Sequence, residues 1–549
     1  MCSYQRVNNS YSCQNSKVLN GLLKTELGFQ GFVVSDWSGQ HTGTASALAG
    51  LDMTMPSGDD YWGAQLVEAV RNGSVPERSL NDKATRVIAA WYYSRQDDPN
   101  LPPVAVGLPY DLLGPHEVVD ARDPDDADTL LEGAIQGHVL VKNVDNALPL
   151  SKPRVLTVYC YDAKTPERNN PNTGSGDWSF GLESTTYDAV KCGFKPYAGQ
   201  CSVPFPTFVN GTIVSGGGSG AVTPFYIDSP IQALESRARK EGTQLFWDLE
   251  NKDSNSTVPG ATDACLVFTN AYSSEGVDRV ALRDDYSDAL VKNIAGQCEN
   301  TIVVIHNAGI RLVDQWIDHP NVTAVVLAQL PGQDSGEAIT QILYGDVSPS
   351  GKLPYTIARN ESDYGSLLAP KTASGWDRYF PQDNFTEGVF IDYRAFDEND
   401  IQPRFEFGFG LTYTTFKYSN LQIKNTVDPS NLSKQPSGRV IPGGHEDLWD
   451  TVATVTADVT NTGDVQAAEI GQLYVTIPGD GQPVRQLRGF DKVLLSPGET
   501  KSFEFELRRR DLSVWDVTAQ QWTLLTGSDY DLSVGASSRQ LLLNGTLSL

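Results

Sequence analysis

The chain has 549 residues, 40% of them apolar and 20% charged, and a formal net charge of −26. A single hydrophobic core stops growing near ~250–300 residues, so two or three domains are expected. The acidic excess argues against nucleic acid or an anionic membrane as partner, since both require basic surface. No run of about 18 apolar residues offers a transmembrane helix.

The chain opens MCSYQRVNNSYSC, without a basic-then-apolar leader. From residue 17 the apolar positions Val18, Leu19, Leu22, Leu23 and Leu27 have the spacing of an amphipathic helix. Gly31–Ser35 reads as a short strand, with Asp36 and Trp37 directly after it. A small-residue helix in TGTASALAG, a strand Leu51–Met55 and helices around Ala64–Arg71 and Leu80–Ser94 extend a β-α-β-α rhythm. That rhythm implies a parallel sheet covered by helices, but residues 1–100 hold too few units to close a barrel.

Residues 101–125 are rich in Pro and Asp and read as a linker. The α/β rhythm resumes over 126–358. Strands are expected at Val155–Tyr161, Gln244–Asp248, Ala264–Thr269, Thr301–His306 and Thr323–Ala328, with helices such as Tyr286–Ala295 and Glu337–Leu343. An open, doubly wound sheet fits, with ligands beyond the carboxyl ends of its strands. Residues 359–404 lack periodicity. Residues 405–549 alternate in short strands between Gly, Pro and Asn turns, the pattern of an all-β sandwich.

Seven cysteines are present. Cys192 and Cys201 share a Gly/Pro-rich loop, where a bridge and two free thiols are evenly balanced. Cys160, Cys265 and Cys298 lie in or beside apolar runs and read as buried free thiols. Cys13, in SYSCQNS, reads as lacking its partner. Nine sequons, at Asn8, Asn72, Asn210, Asn255, Asn321, Asn360, Asn384, Asn431 and Asn544, exceed what chance supplies and point to secretion.

Three segments could carry chemistry. Asp36 stands at the carboxyl end of an apolar parallel strand, where barrel enzymes keep catalytic groups, and Trp37 offers a flat face to a sugar. Taken alone, an Asp there also caps the following turn and the Trp packs. Glu275 follows the strand Ala264–Thr269 on a loop opened by a glycine; taken alone, a loop Glu is more often a solvated surface acid. Together the two suit glycosidic hydrolysis, which needs one ionised and one protonated carboxyl group. The loop Val214–Ala221 has glycines that let backbone amides approach a ligand, yet it is neither a Walker loop nor a dinucleotide fingerprint. His41, His116, His138, His306, His319 and His445 are scattered without ligand spacing, so no metal is expected.

The segment from MCSYQ through FVVSDWSGQHTGTASALAGLDMTMP resembles fungal β-glucosidases of glycoside hydrolase family 3. The resemblance continues through KNVDNALPL, the Glu275 loop, LPGQDSGEAITQILYGDVSPSGKLPYTI, IDYRAFD and FEFGFGLTYTTF. It implies the C-terminal part of a TIM-like barrel, an α/β sandwich and a fibronectin type III-like domain, with the cleft between the first two. It implies Asp36 as nucleophile, Glu275 as acid/base, and Trp37, Tyr4 and Ser219 as substrate-binding residues. Where the family often has Trp in the glycine loop this chain has Gly217, which would open the aglycone side. Exo-hydrolysis of terminal β-glucosyl residues from cellobiose and short β-glucosides follows, without metal or organic cofactor. The alternatives are a β-xylosidase, an N-acetyl-β-glucosaminidase, or a truncated fragment that binds sugar without turnover. A whole barrel implies roughly two hundred residues upstream of Met1. Oligomeric state is left open.

Overall fold

A computed structural model describes residues 1–58, 60–101, 120, 122–166, 194–195, 211–220, 222, 224–250, 254, 262–275, 278–368 and 372–549. The Cys192–Cys201 pairing, the sequons at Asn210 and Asn255, His116 and most of the 101–125 linker lie outside those residues.

In the N-terminal part, β1 (Val34–Trp37) and β2 (Met53–Met55) pair in parallel. β1 therefore runs through Asp36 and Trp37 instead of ending at Ser35. Cys2 adds a parallel bridge to Ser35: its N–H donates to Val34 O at 2.9 Å and its carbonyl accepts from Asp36 N–H at 3.0 Å. A disulfide joins Cys2 to Cys13. This corrects the reading of Cys13 as unpaired; an 11-residue separation inside a tight loop leaves no periodic signal for the pairing. Helices α1 (Thr44–Ala49), α2 (Ala64–Arg71) and α3 (Glu77–Tyr93) cover this pair. The amphipathic segment Lys17–Glu26 is helical but wound with π-type bonding, still burying Leu19.

The second domain is a mixed sheet of six strands. In chain order they are β3 (Val139–Asn143), β4 (Val155–Tyr159), β5 (Gln244–Asp248), β6 (Ala264–Ala271), β7 (Thr301–Asn307) and β8 (Val322–Leu327). Their spatial order is β3-β8-β7-β6-β4-β5. All neighbours are parallel except β3, an antiparallel edge that the sequence reading passed over. β6 and β7 are buried at every position, as expected of central strands covered on both faces. Helices α4 (Ala127–Gly137), α5 (Pro230–Glu241), α6 (Asp285–Ala295) and α7 (Ser335–Tyr344) supply the cover, giving one apolar core on each side.

Cys265 and Cys298 are not free thiols: they form a disulfide. Cys265 is the register partner of Thr301, which follows Cys298 by a short turn, so the strand pairing itself brings the two sulfurs together. An apolar flank looks alike around a buried bridge and a buried thiol, which is why the sequence misled. Cys160 is free and buried.

Among the described residues of 359–404, two 3₁₀ segments, Glu361–Leu368 and Gly375–Arg378, precede one α-helix, Tyr393–Glu398. The C-terminal sandwich packs a three-stranded sheet on a four-stranded one. The first contains β9 (Phe416–Asn425), β10 (Thr451–Asn461) and β13 (Thr500–Arg508); the second contains β11 (Ala467–Thr476), β12 (Gln486–Leu495), β14 (Asp529–Gly535) and β15 (Leu541–Ser548). Alternating inward residues such as Val455, Phe503 and Val534 fill its core. Arg485 and Arg539 both pair with the half-buried Asp397, tying the sandwich to the connecting segment.

Candidate active site

Asp36 sits near the carboxyl end of β1. The Tyr4 hydroxyl donates to its Oδ1 at 2.8 Å, and the Trp37 N–H donates to the same oxygen at 2.7 Å. Ser38, at φ 58°, turns the chain sharply after Trp37 and anchors its N–H on Met55 O at 2.9 Å. That turn leaves the Trp37 indole 45% exposed and the Tyr4 ring 51% exposed, so both aromatic faces border open space. The hydrogen bond to Asp36, followed by burial and the charges of Asp36 and Glu275, raises the Tyr4 pKa.

Glu275 reaches the same region from the second domain, on the loop after β6. The glycine loop lies against it: Gly217 bridges to Ser274, the Gly217 N–H donates to Ser273 O at 3.0 Å, and the Ser219 N–H donates to Glu275 Oε2 at 2.6 Å. Two glycines are required here by close approach. A Cβ on Gly217 would stand 1.9 Å from the Tyr272 hydroxyl, and one on Gly218 (φ +78°) 2.2 Å from Glu275 Cβ. In this loop conformation the Tyr272 hydroxyl and the Ser274 side chain occupy the space that a side chain at position 217 would need.

The exposed Glu275 carboxyl titrates below its ordinary range. The Ser219 hydroxyl and N–H favour the ionised form, while burial and the Asp36 charge oppose them. The two carboxyl groups therefore sit within electrostatic reach of one another, although 36 and 275 belong to different domains. The structure brings Tyr4, Asp36 and Trp37 together on the N-terminal part and Ser219 and Glu275 together on the second domain, with the Asp36 charge acting on Glu275 and the Glu275 charge on Tyr4. Ser219 addresses Glu275 directly, a contact that spacing alone did not suggest.

Of the sequon asparagines described, Asn8, Asn72, Asn360, Asn384, Asn431 and Asn544 are exposed. The half-buried Asn321 spends its amide on Ala295 O at 2.8 Å. Among the described residues no cluster of His, Cys, Asp and Glu has metal-site geometry, and no helix is long and apolar enough to cross a membrane.

Family comparisons agree with this layout. Residues 1–90 match the glycosyl hydrolase family 3 N-terminal domain, 138–413 its C-terminal domain, and 469–538 a fibronectin type III-like domain. A probable β-glucosidase M of Aspergillus niger is 53% identical over 549 residues, covering 100% of this chain and 67% of its own. The β-glucosidase cel3A of Pyricularia oryzae is 49% identical over 551 residues, covering 100% of this chain and 68% of its own. The crystal structure of a β-D-glucoside glucohydrolase from Trichoderma reesei superposes with a TM-score of 0.85 at 37% identity, over 100% of this chain and 72% of that one. The β-glucosidase D2-BGL of Chaetomella raphigera gives 0.83 at 39% identity, over 100% and 72%.

The two family 3 domain matches, followed by a fibronectin type III-like domain on an α/β plus β multidomain fold, define a glycoside hydrolase. The chain belongs to glycoside hydrolase family 3, and it spans about two thirds of the length of the curated relatives it matches.

Proposed function

We propose that this chain is a retaining exo-β-glucosidase acting on cellobiose and short β-glucosides, with Asp36 as nucleophile and Glu275 as acid/base. The observation that carries this reading is the pairing of Asp36, fixed by Tyr4 at a strand end, with Glu275 across the domain gap. Both donors to Asp36 fall on Oδ1, so Oδ2 is the oxygen available for attack. Oδ2 bonds to the anomeric carbon while the glycosidic C–O bond breaks, and the Glu275 proton passes to the departing oxygen. In the second half, the Glu275 carboxylate takes a proton from water. The water oxygen attacks the anomeric carbon and releases Asp36, so two inversions give net retention. Trp37 offers its exposed ring to the apolar face of the glucosyl unit.

The test is turnover of a panel of nitrophenyl glycosides by the wild type and Asp36→Gly. Glucoside should be preferred over xyloside and N-acetylglucosaminide. Asp36→Gly should be inactive alone and form α-glucosyl azide when azide is added. Near-normal hydrolysis by Asp36→Gly removes the nucleophile from this position.

Secretion and N-glycosylation belong to the same proposal. They are supported by the exposed sequon asparagines and by two disulfides among the described residues, which persist in oxidising compartments. A mass shift on endoglycosidase treatment of the protein expressed in a fungal host tests them.

A further inference from the structure

Asp162 follows β4 by a turn, in which Cys160 takes a left-handed conformation at φ 87° and turns the chain inward. The Asp162 side chain is fully buried, and four groups converge on it or on its neighbour. Oδ1 accepts from Asn270 Nδ2 at 2.8 Å and from the Ile213 N–H at 3.3 Å. Oδ2 accepts from His306 Nδ1 at 2.5 Å, and His306 Nε2 meets Ser335 Oγ at 3.0 Å. Asn270 and His306 are register partners near the carboxyl ends of β6 and β7, and Ser335 opens α7 after β8. The network thus crosses four adjacent strands at the edge of the sheet where Glu275 emerges.

An Asp–His–Ser chain invites a nucleophilic reading, but Asp162, His306 and Ser335 are each 0% exposed, and a nucleophile needs a route for its substrate. Burying a carboxylate is costly unless every lone pair is used, so this one earns its place through what it joins. Ile213 leads into the glycine loop that ends at Ser219. Asn270 leads into the loop that ends at Glu275. Those loops touch with no slack, since a Cβ on Gly218 would overlap Glu275.

We infer that Asp162 is a positioning residue for Glu275: it locks the two loops to one point, so that Ser219 and Glu275 meet opposite Asp36. The inference rests on Glu275 being the acid/base. Displacing a catalytic group by about 1 Å costs roughly 10²-fold, and the loss should appear only where proton donation matters.

The experiment compares kcat/KM on cellobiose, whose leaving group needs a proton, with 2,4-dinitrophenyl β-glucoside, whose leaving group does not. Asp162→Asn should lose roughly 10²-fold on cellobiose and change little on the dinitrophenyl substrate. Asn270→Ala removes the Asn270 bond to Asp162, together with the 3.4 Å bond from Asn270 Nδ2 to Gly211 O, while leaving the carboxylate and its His306 and Ile213 bonds in place, and should show a smaller split of the same sign; it carries the test alone if Asp162→Asn does not fold. Equal losses on both substrates, or no loss, overturn the inference. Glu275→Gln is the reference. If it shows no split, the acid/base reading fails; if it splits while the Asp162 and Asn270 variants do not, only the positioning role fails.

Discussion

The Tyr4 hydroxyl donates to Oδ1 of Asp36 at 2.8 Å, and the Trp37 N–H shares that oxygen at 2.7 Å. A donor on a nucleophilic carboxylate acts differently on the two halves of a double displacement. It stabilises the free carboxylate, which slows attack and speeds departure.

Tyr4→Phe should therefore slow deglycosylation. A hydrogen bond to a charged group is worth about 1.5–3 kcal/mol, or roughly ten-fold or more in rate. On 2,4-dinitrophenyl β-glucoside kcat should fall by that factor and a burst of dinitrophenolate should appear, while kcat/KM holds or rises. A fall in kcat/KM with constant kcat would make Tyr4 a substrate contact instead.

Ser219 sets the proton on Glu275. Its hydroxyl and N–H hold the carboxyl below its ordinary range. An acid catalyst works protonated, so a lowered pKa pulls the alkaline limb of kcat/KM toward acid. Ser219→Ala removes the hydroxyl and keeps the N–H. The alkaline limb on cellobiose should then move to higher pH. A limb that stays in place assigns it to another group.

The family and fold were legible through long motifs that resemble glycoside hydrolase family 3, whereas a strand-end Asp and a loop Glu taken alone read as a turn cap and a surface acid. The interactions that arm those residues were not legible. Ser219 meets Glu275, and Gly217 meets Tyr272, only because the glycine loop lies along the loop after β6, and Asp162 meets His306 across 144 positions. Such contacts have no period. The disulfide Cys265–Cys298 was hidden for a related reason: strand register, not spacing, brings the sulfurs together. β3 was passed over because a short apolar run between a helix and a turn has no alternation when it is buried on both faces.

His138 links acid to unfolding. It joins α4 to β3, is fully buried, and donates from Nδ1 to Ala134 O at 2.7 Å, while Nε2 has no partner among the described residues. Burial, with the neighbouring His306 adding to it, pushes its pKa from 6.5 down to about 4. The unfolded state thus takes up the proton first as pH falls, and stability drains between 6.5 and about 4. That difference corresponds to about 3 kcal/mol. His138→Phe should be less stable than wild type at pH 7 by about 1 kcal/mol, for the lost hydrogen bond, and should lose correspondingly less on going to pH 4.5. Thermal unfolding at both pH values decides; parallel losses in the two proteins place the acid sensitivity elsewhere.

Asp52 holds the floor beneath the nucleophile. Its buried carboxylate accepts from the Val33 N–H and from Lys24 Nζ, both at 2.8 Å, with Lys83 Nζ at 3.9 Å. Its own N–H returns a bond to Val33 O at 2.9 Å, so the residue that leads into β1 is clasped from both sides. Lys83 lies on α3 and is 5% exposed, and burial lowers its pKa against the pull of Asp52. Removing the anion leaves two buried ammonium groups facing each other. Asp52→Ala should cost about 3–5 kcal/mol and reduce turnover in the protein that remains folded, because β1 carries Asp36. Lys83→Met replaces a desolvated ammonium by an apolar chain of similar volume and leaves the Lys24 pair intact, so it should be neutral or stabilising. The asymmetry is the test: a Lys83→Met loss as large as that of Asp52→Ala would mean that the cluster owes its strength to the Lys83 charge and not to the carboxylate that grips β1.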